Sequence, residues 1–147
     1  VEKSKVNNDL TEPDFEPFVA NGFIALTGPI MRQLAYGNRF RLQIMSHHLN
    51  YAGKFHGGMA MSLQKAVFDQ IAFETVQRQS PESAVELVTM NCDFIGPADL
   101  GDSVESHATT TRVTRSIIFL TGQITNGNRQ VLTSSAIYRI TEALEKP

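Results

Sequence analysis

From Met59 to about Arg78 the chain runs without glycine or proline, and most of its residues favour helix. At about 100° per residue, Met59, Leu63, Ala66, Val67 and Ile71 share one face, so the spacing predicts a long helix with an apolar stripe. The opposite side is not the usual charged surface. Met61, Phe68 and Ala72 line it around Lys65 and Asp69, and a helix apolar on two sides is surrounded by protein. Elsewhere the period shortens to two. Phe40, Leu42 and Ile44 alternate with Arg39, Arg41 and Gln43, predicting a strand over 39–45, with another over 30–36 joined to it at Gly37-Asn38. Further strands are predicted over 85–95, 103–114, 116–125 and 129–141. Gly96-Pro97 ends the first of these, and Asn126-Gly127-Asn128 links the last two as a hairpin signal. Connections this short predict an antiparallel meander rather than parallel strands with helical crossovers. Near the start, Thr11-Glu12-Pro13-Asp14 has the pattern of a helix N-terminus, with Phe15, Phe18 and Val19 as its stripe and Gly22 as its stop. Residues 1–10 are polar and expected to be flexible.

The predicted order is a short helix, two strands, a long helix and four strands, an α+β chain whose sheet has one face to cover. The long helix is the obvious cover. Its second apolar side then needs a partner, and a homodimer supplies one economically.

Composition adds exclusions. At 147 residues with 41% hydrophobic and 19% charged residues, the chain is sized for a single domain over 1–147 with a core of its own. The formal net charge of −2, with no cluster of Lys and Arg, argues against nucleic-acid binding. No uncharged run approaches the ~18 residues needed to span a bilayer. The lone Cys92 cannot form an internal disulfide, and no signal-like segment opens the sequence, so a cytoplasmic location is expected. Cys92 lies in a strand-like setting and reads as a packing residue. His47 and His48 are adjacent and far from that cysteine, so no metal-ligand spacing emerges.

The segment with chemical promise is Asn50-Tyr51-Ala52-Gly53-Lys54-Phe55-His56-Gly57-Gly58, which runs into the long helix. Glycines at a helix start leave backbone N–H groups uncovered where the helix dipole favours negative charge. A carbonyl oxygen gaining charge in a tetrahedral intermediate is stabilised by such donors, by roughly 3–4 kcal/mol for one well-placed donor. His56 can position the loop or donate to a ligand, and the Asn50 amide can orient a water or a carbonyl. The plainer alternative is a tight turn in which His56 only satisfies backbone groups. The glycine pair is not a Walker A or dinucleotide fingerprint.

Asn50-x-x-Gly53-x-x-His56-Gly57-Gly58, then a helix, then Asn91-Cys92-Asp93-Phe94-Ile95-Gly96-Pro97-Ala98-x-x-Gly101-Asp102 resembles the hot-dog-fold acyl-CoA thioesterases. The nearest branch is the phenylacetate-degradation and hydroxybenzoyl-CoA type, and the likeness extends from about Gly22 to Ile140. The resemblance implies an antiparallel sheet wrapped around one central helix. It also implies a homodimer, or two dimers paired as a tetramer, with active sites at the subunit interface. Coenzyme A enters as part of an acyl-CoA substrate, with no separate cofactor. Gly57 is implied as the oxyanion donor beside Gly58, Asn50 as the residue placing the thioester or water, and Lys54, Arg112 and Arg115 as candidates near the coenzyme A phosphates, each also readable as a solvated surface charge.

One departure bears directly on the chemistry. The family's carboxylate stands eight residues after the first glycine, and here that position is Lys65. An ammonium is neither carboxylate nucleophile nor general base unless burial strips its proton. A helper Ser or Thr on the next strand is likewise replaced, by Leu87. Asp69 is four residues beyond Lys65, so the two are expected to form an ion pair on one helix stripe. The alternative has Asp69 supplying the displaced carboxylate from about 5.4 Å, one turn away. His47, His48, Glu74, Glu86 and Asp93 are further candidate bases from a partner chain. Three functions follow as expectations: hydrolysis of an acyl-CoA through an unusual base, binding of acyl-CoA without hydrolysis, and a structural partner for an active paralogue.

Overall fold

The computed structural model describes residues 14–142. Thr11, Glu12 and Pro13 and the expected flexible stretch 1–10 lie outside the described residues. The elements are β1 (Phe15–Pro17), α1 (Gly22–Thr27), β2 (Ile30–Gln33), β3 (Arg39–Gln43), a 3-10 turn at Ser46–His48, α2 (Gly57–Gln77), β4 (Ser83–Phe94), β5 (Ser103–Val113), β6 (Ile117–Asn126) and β7 (Arg129–Glu142). The strands form one seven-stranded sheet in the order β1-β2-β3-β5-β6-β7-β4, every pair antiparallel. It wraps around α2, the hot-dog arrangement expected of an α+β chain. Among the described residues no helix is long and apolar enough to cross a membrane.

The α2 stripe packs as its period requires. Leu63, Val67 and Phe68 are fully buried against sheet residues such as Phe40, Leu42, Ile118, Leu120 and Leu132. Phe68 and Ala72, expected on a side lacking a partner, are completely covered within the chain. Of the large apolar side chains of α2, only Met61 and Phe73 remain exposed, at 38% and 46%. The sheet curls far enough around the helix to reach both of its sides.

Three expectations about the strands need correction. Phe15–Pro17 is a strand paired with β2, not a helical turn, and Gly22 opens α1 rather than closing a helix. The amide of Phe18 donates to Ile30 at 2.8 Å, and its ring meets Phe40 edge-on at 5.2 Å. Those tertiary contacts outweigh the local capping pattern. Strand β2 also ends at Gln33, three residues short of the expected Tyr36, because Ala35 and Tyr36 both adopt φ of 58° in a tight left-handed turn. Finally, β5, β6 and β7 form a meander but β4 does not join it in sequence order. It pairs with β7 at the far edge, so the chain must cross back to place β5 beside β3. That crossing spans three strand spacings, about 14 Å, which residues 95–102 cover when extended.

The crossing is stitched to the rest of the fold. Ile95 donates to Val131, Gly101 donates to Ile44, and the buried Ala98 accepts from Phe55. It therefore runs beside the loop that leads into α2.

Two buried polar contacts set the position of α2. Gln64, with no exposure, donates to the carbonyl of His107 at 3.2 Å and accepts from Ser106 at 3.1 Å. Arg32 of β2 grips Glu74 with both terminal nitrogens, at 2.5 and 2.8 Å. Burial opposes ionisation of Glu74, but hydrogen bonds from Arg32 and Gln70 outweigh it and hold its carboxyl below the usual range. Glu74 is thus a structural anion and not a base. Gly122 is the residue that admits Gln64. A Cβ there would stand 2.3 Å from Gln64 Nε2 and 2.7 Å from the His107 carbonyl oxygen. Gly122→Ala is therefore expected to lower the unfolding free energy by about 1–3 kcal/mol, seen as a lower urea midpoint with an unchanged slope.

Candidate functional site

The loop before α2 folds on the side chain of Asn50. Its Oδ1 accepts from the amides of Ala52 (2.9 Å) and Lys54 (3.1 Å), while its backbone exchanges bonds with Lys54 and Gly53. Gly53 has φ of +74°, a conformation that glycine adopts without strain. With Oδ1 committed, the chemistry left to Asn50 is donation from Nδ2, toward a carbonyl rather than as an acceptor for water.

His56 is the N-cap of α2. Its Nδ1 accepts from Met59 N at 3.3 Å, and its carbonyl accepts from Ala60 N at 3.0 Å. In the neutral ring the proton then belongs on Nε2, which has no partner among the described residues. The first two helical amides, Gly57 and Gly58, likewise bond to nothing among the described residues, as the first turn of a helix dictates. The glycines keep the place open. A Cβ on Gly58 would be 2.8 Å from His56 Cε1, and one on Gly57 would be 3.1 Å from the Phe94 ring. The imidazole folds over Gly58 and Phe94 walls Gly57. His56 is exposed and Gly57 half-buried, so the cradle opens to solvent.

Lys65 and Asp69 form the expected ion pair at 2.7 Å, half-exposed on α2. The second oxygen of Asp69 accepts from the hydroxyl of Tyr138 on β7, at 2.5 Å. Tyr138 is 1% exposed, and burial together with the neighbouring carboxylate pushes its phenol far above the ordinary value. It stays a neutral donor. Both oxygens of Asp69 are thus occupied, by a cation and a phenol. Gly57 and Lys65 are about 12 Å apart along the helix axis, too far for one carbonyl to touch both within a single chain.

Other candidates fall outside the cradle. Lys54 is paired with Asp99 at 2.5 Å. Arg112 and Arg115 are exposed toward the far end of the sheet; Arg112 is about 30 Å up β5 from Ser103, so the chain does not bring them to Gly57. Glu86 is paired with Arg139 on the surface, Asp93 is exposed, and Leu87 packs against the core. Burial and then Asp93 raise the Cys92 thiol, which leaves it a poor nucleophile. Among the described residues, no cluster of His, Cys, Asp and Glu could hold a metal ion.

Sequence reasoning missed Tyr138 and Phe94, and it misjudged His48. His48 is 1% exposed and serves as a tie, not a base. Its Nδ1 accepts from Met45 N (2.9 Å), its Nε2 donates to the carbonyl of Thr27 at the end of α1 (2.5 Å), and its own carbonyl accepts from His56 N (2.8 Å). His47 is exposed, with its ring 4.0 Å from that of His48. Only the adjacency of two histidines just before the loop hinted at any of this.

Comparison with known proteins places the chain in a class. The chain belongs to the thioesterase superfamily, whose model matches residues 52–133. PA0474 of Pseudomonas aeruginosa, named as an esterase by inference, is 25% identical over 133 residues, covering 86% of this chain and 94% of that protein. Among solved structures, a hypothetical thioesterase with coenzyme A from Streptococcus pneumoniae superposes with a TM-score of 0.60 at 20% identity, covering 73% of this chain and 80% of the other. A variant of the phenylacetic acid degradation protein PaaI from Thermus thermophilus superposes with a TM-score of 0.67 at 18% identity, covering 80% and 96%.

The His48 tie carries a pH signature. Burial is the main reason its pKa lies below 6.5, the nearby His47 adds to the effect, and the bond to Thr27 partly opposes it. A lowered folded-state pKa means the unfolded chain binds the proton more readily, so this contribution is complete above 6.5 and is lost as pH falls toward the folded value. Thermal melts between about pH 5 and 8 are expected to show Tm falling on the acid side, with a flatter profile in His48→Gln.

Proposed function

We propose that the protein hydrolyses an acyl-CoA thioester to the free acid and coenzyme A, as a homodimer. The observation that carries this reading is the pair of amides at Gly57 and Gly58, unbonded among the described residues and set at the positive end of a 21-residue helix, after a loop folded on Asn50. The thioester oxygen sits at Gly57 N–H, with Asn50 Nδ2 and His56 Nε2 as neighbouring donors. Water adds to the carbonyl carbon, the C–S bond breaks, and the thiolate takes up a proton. Charge on the oxygen rises only as the tetrahedral intermediate forms, so these donors favour that state over the ground state.

A second copy completes the site. The ~12 Å along α2 between Gly57 and Lys65 is bridged when the Gly57 of one protomer meets the Lys65–Asp69 stripe of another. Met61 and Phe73 are exposed on that helix, and β4 is a 12-residue edge strand with Val88 58% exposed. Both features favour association. In this reading Asp69, released from Lys65, is the base.

One observation favours a second reading, in which acyl-CoA binds without hydrolysis. Asp69 has both oxygens bonded, and Lys65 occupies the carboxylate position. The two readings separate in one assay. Purified protein is expected to release free thiol from at least one member of an acyl-CoA panel, measured with a chromogenic thiol reagent. Gly57→Pro deletes one N–H and suits the first helical position, since His56 already has φ −66° and ψ 128°; its Cβ, 3.1 Å from the Phe94 ring, needs only a small shift of that exposed side chain. It is expected to lower kcat by about 100-fold while Tm stays close to that of the parent. Lys65→Asp is expected to raise the hydrolytic rate. Absence of thiol release together with stabilisation by coenzyme A esters would establish the binding reading; absence of both would end each of them.

A further inference from the structure

A cavity of about 370 Å³ lies between the strap Phe18–Asn21, α1, α2 and the start of β4. Ala66, Asp69, Gln70 and Phe73 form its α2 wall at helical spacing, with Ile24 and Val85 opposite. We propose that this cavity is the acyl subsite and that it takes an uncharged, medium-length aliphatic acyl chain. The inference rests on the thioester reading for its entrance, since Asp69 lines the cavity and its partner Lys65 directly precedes Ala66 at one end of the α2 wall.

Three observations converge on that ligand. Seven of the ten lining residues are apolar, and of the three polar ones Asp69 and Gln70 on the α2 floor are engaged, while Asn21 at the rim makes no side-chain bond to the first turn of α1. Asp69 is bonded through both oxygens, and the Gln70 amide nitrogen donates to Glu74 at 2.7 Å. Such a floor makes no demand for a polar partner, and it sets a carboxylate against any acyl chain that ends in one. The length is also defined. From Ala66 to Phe73 is seven residues of helix, about 10 Å, which an extended chain of about eight carbons fills.

The opposing wall is held rather than free. Phe18 is pinned by its hydrogen bond to Ile30 and its ring contact with Phe40, and Thr27 by His48. Between those anchors α1 has no buried residue. The strap and α1 are thus tied at both ends beside the cavity, with Ile24 packed on the core and Val19 exposed.

The test is affinity, measured by titration calorimetry, for coenzyme A, butyryl-CoA, octanoyl-CoA, palmitoyl-CoA and the neutral amide octanamide. Binding is expected to tighten by about fourfold per methylene from butyryl to octanoyl, and to gain nothing further at palmitoyl. Ala66→Phe fills the cavity and is expected to weaken octanoyl-CoA and octanamide by tenfold or more while coenzyme A is unaffected. Phe73→Ala, at a half-exposed position that folding tolerates, is expected to move the optimum to longer chains, and it carries the test if Ala66→Phe fails to fold. Equal affinity for coenzyme A and all its esters, unchanged in the variants, would overturn the subsite and leave the thioester reading standing. Octanamide binding lost in Ala66→Phe, with no coenzyme A ester bound, would uphold the cavity's ligand class and remove the thioester reading. A protein that binds neither octanamide nor any ester refutes both.

Discussion

Two amides at the start of α2 have no acceptor among the described residues, and much of the surrounding structure keeps them that way. An N-cap ordinarily quenches the donors of the first turn. Here His56 takes the third amide and, through its carbonyl, the fourth, and leaves Gly57 and Gly58 bare. The imidazole reaches Met59 only because Gly58 has no Cβ in its way. The loop cannot swing in to cap the helix itself, because Asn50 folds it outward and His48, Ala98 and Asp99 tie down His56, Phe55 and Lys54. An unsatisfied donor costs little while water reaches it. The same donor gains value when a ligand displaces that water and brings a developing negative charge.

The Lys65–Asp69–Tyr138 chain of contacts looks at first like surface decoration. A half-exposed i,i+4 ion pair contributes about 0–1 kcal/mol. Tyr138 changes the weighting. Its hydroxyl is buried and must donate to something, and Asp69 is what it has. A carboxylate fastened to a buried phenol is held in one place, with that oxygen already occupied. Lys65 occupies the other oxygen. Asp69 thus joins the packing of α2 on β7 to the chemistry of the proposed site, and the two demands on it conflict.

The parts of this molecule legible in the sequence are those set by local pattern. The 3.6 period of α2, the two-residue period of the strands, the Asn126-Gly127-Asn128 hairpin and the glycine pair ahead of α2 all depend on neighbours in the chain. The expectations that failed depend on distant partners. Phe15–Pro17 has the local look of a helix start and becomes a strand because β2 offers an edge. Strand β4 leaves the expected meander because β7, some forty residues on, offers the pairing edge. The Lys65–Asp69 pair could be read from its spacing, but the Tyr138 bond joins residues 69 apart, and no periodicity signals such a contact. His48 was misread for the same reason, since its role is defined by Thr27 on α1.

The buried contacts of α2 explain why the spacing along it matters. Gln64 sits in a socket formed by Ser106, His107 and Gly122, and Glu74 is gripped by Arg32 ten residues further on. A helix fixed by directional contacts at two points cannot slide or rotate by a turn without leaving buried polar groups unpaired, which costs far more than a surface ion pair gains. The stripe Met61–Lys65–Asp69–Phe73 is therefore presented in a constant register relative to Gly57. A partner helix packed against it would always find the same residues opposite its own first turn. In the proposed dimeric site, exchanging the residue at position 65 changes the charge on that stripe without moving the amides of Gly57 and Gly58. Under that proposal the binding geometry is kept by the fold, while the chemistry turns on one side chain and on how firmly Tyr138 retains Asp69.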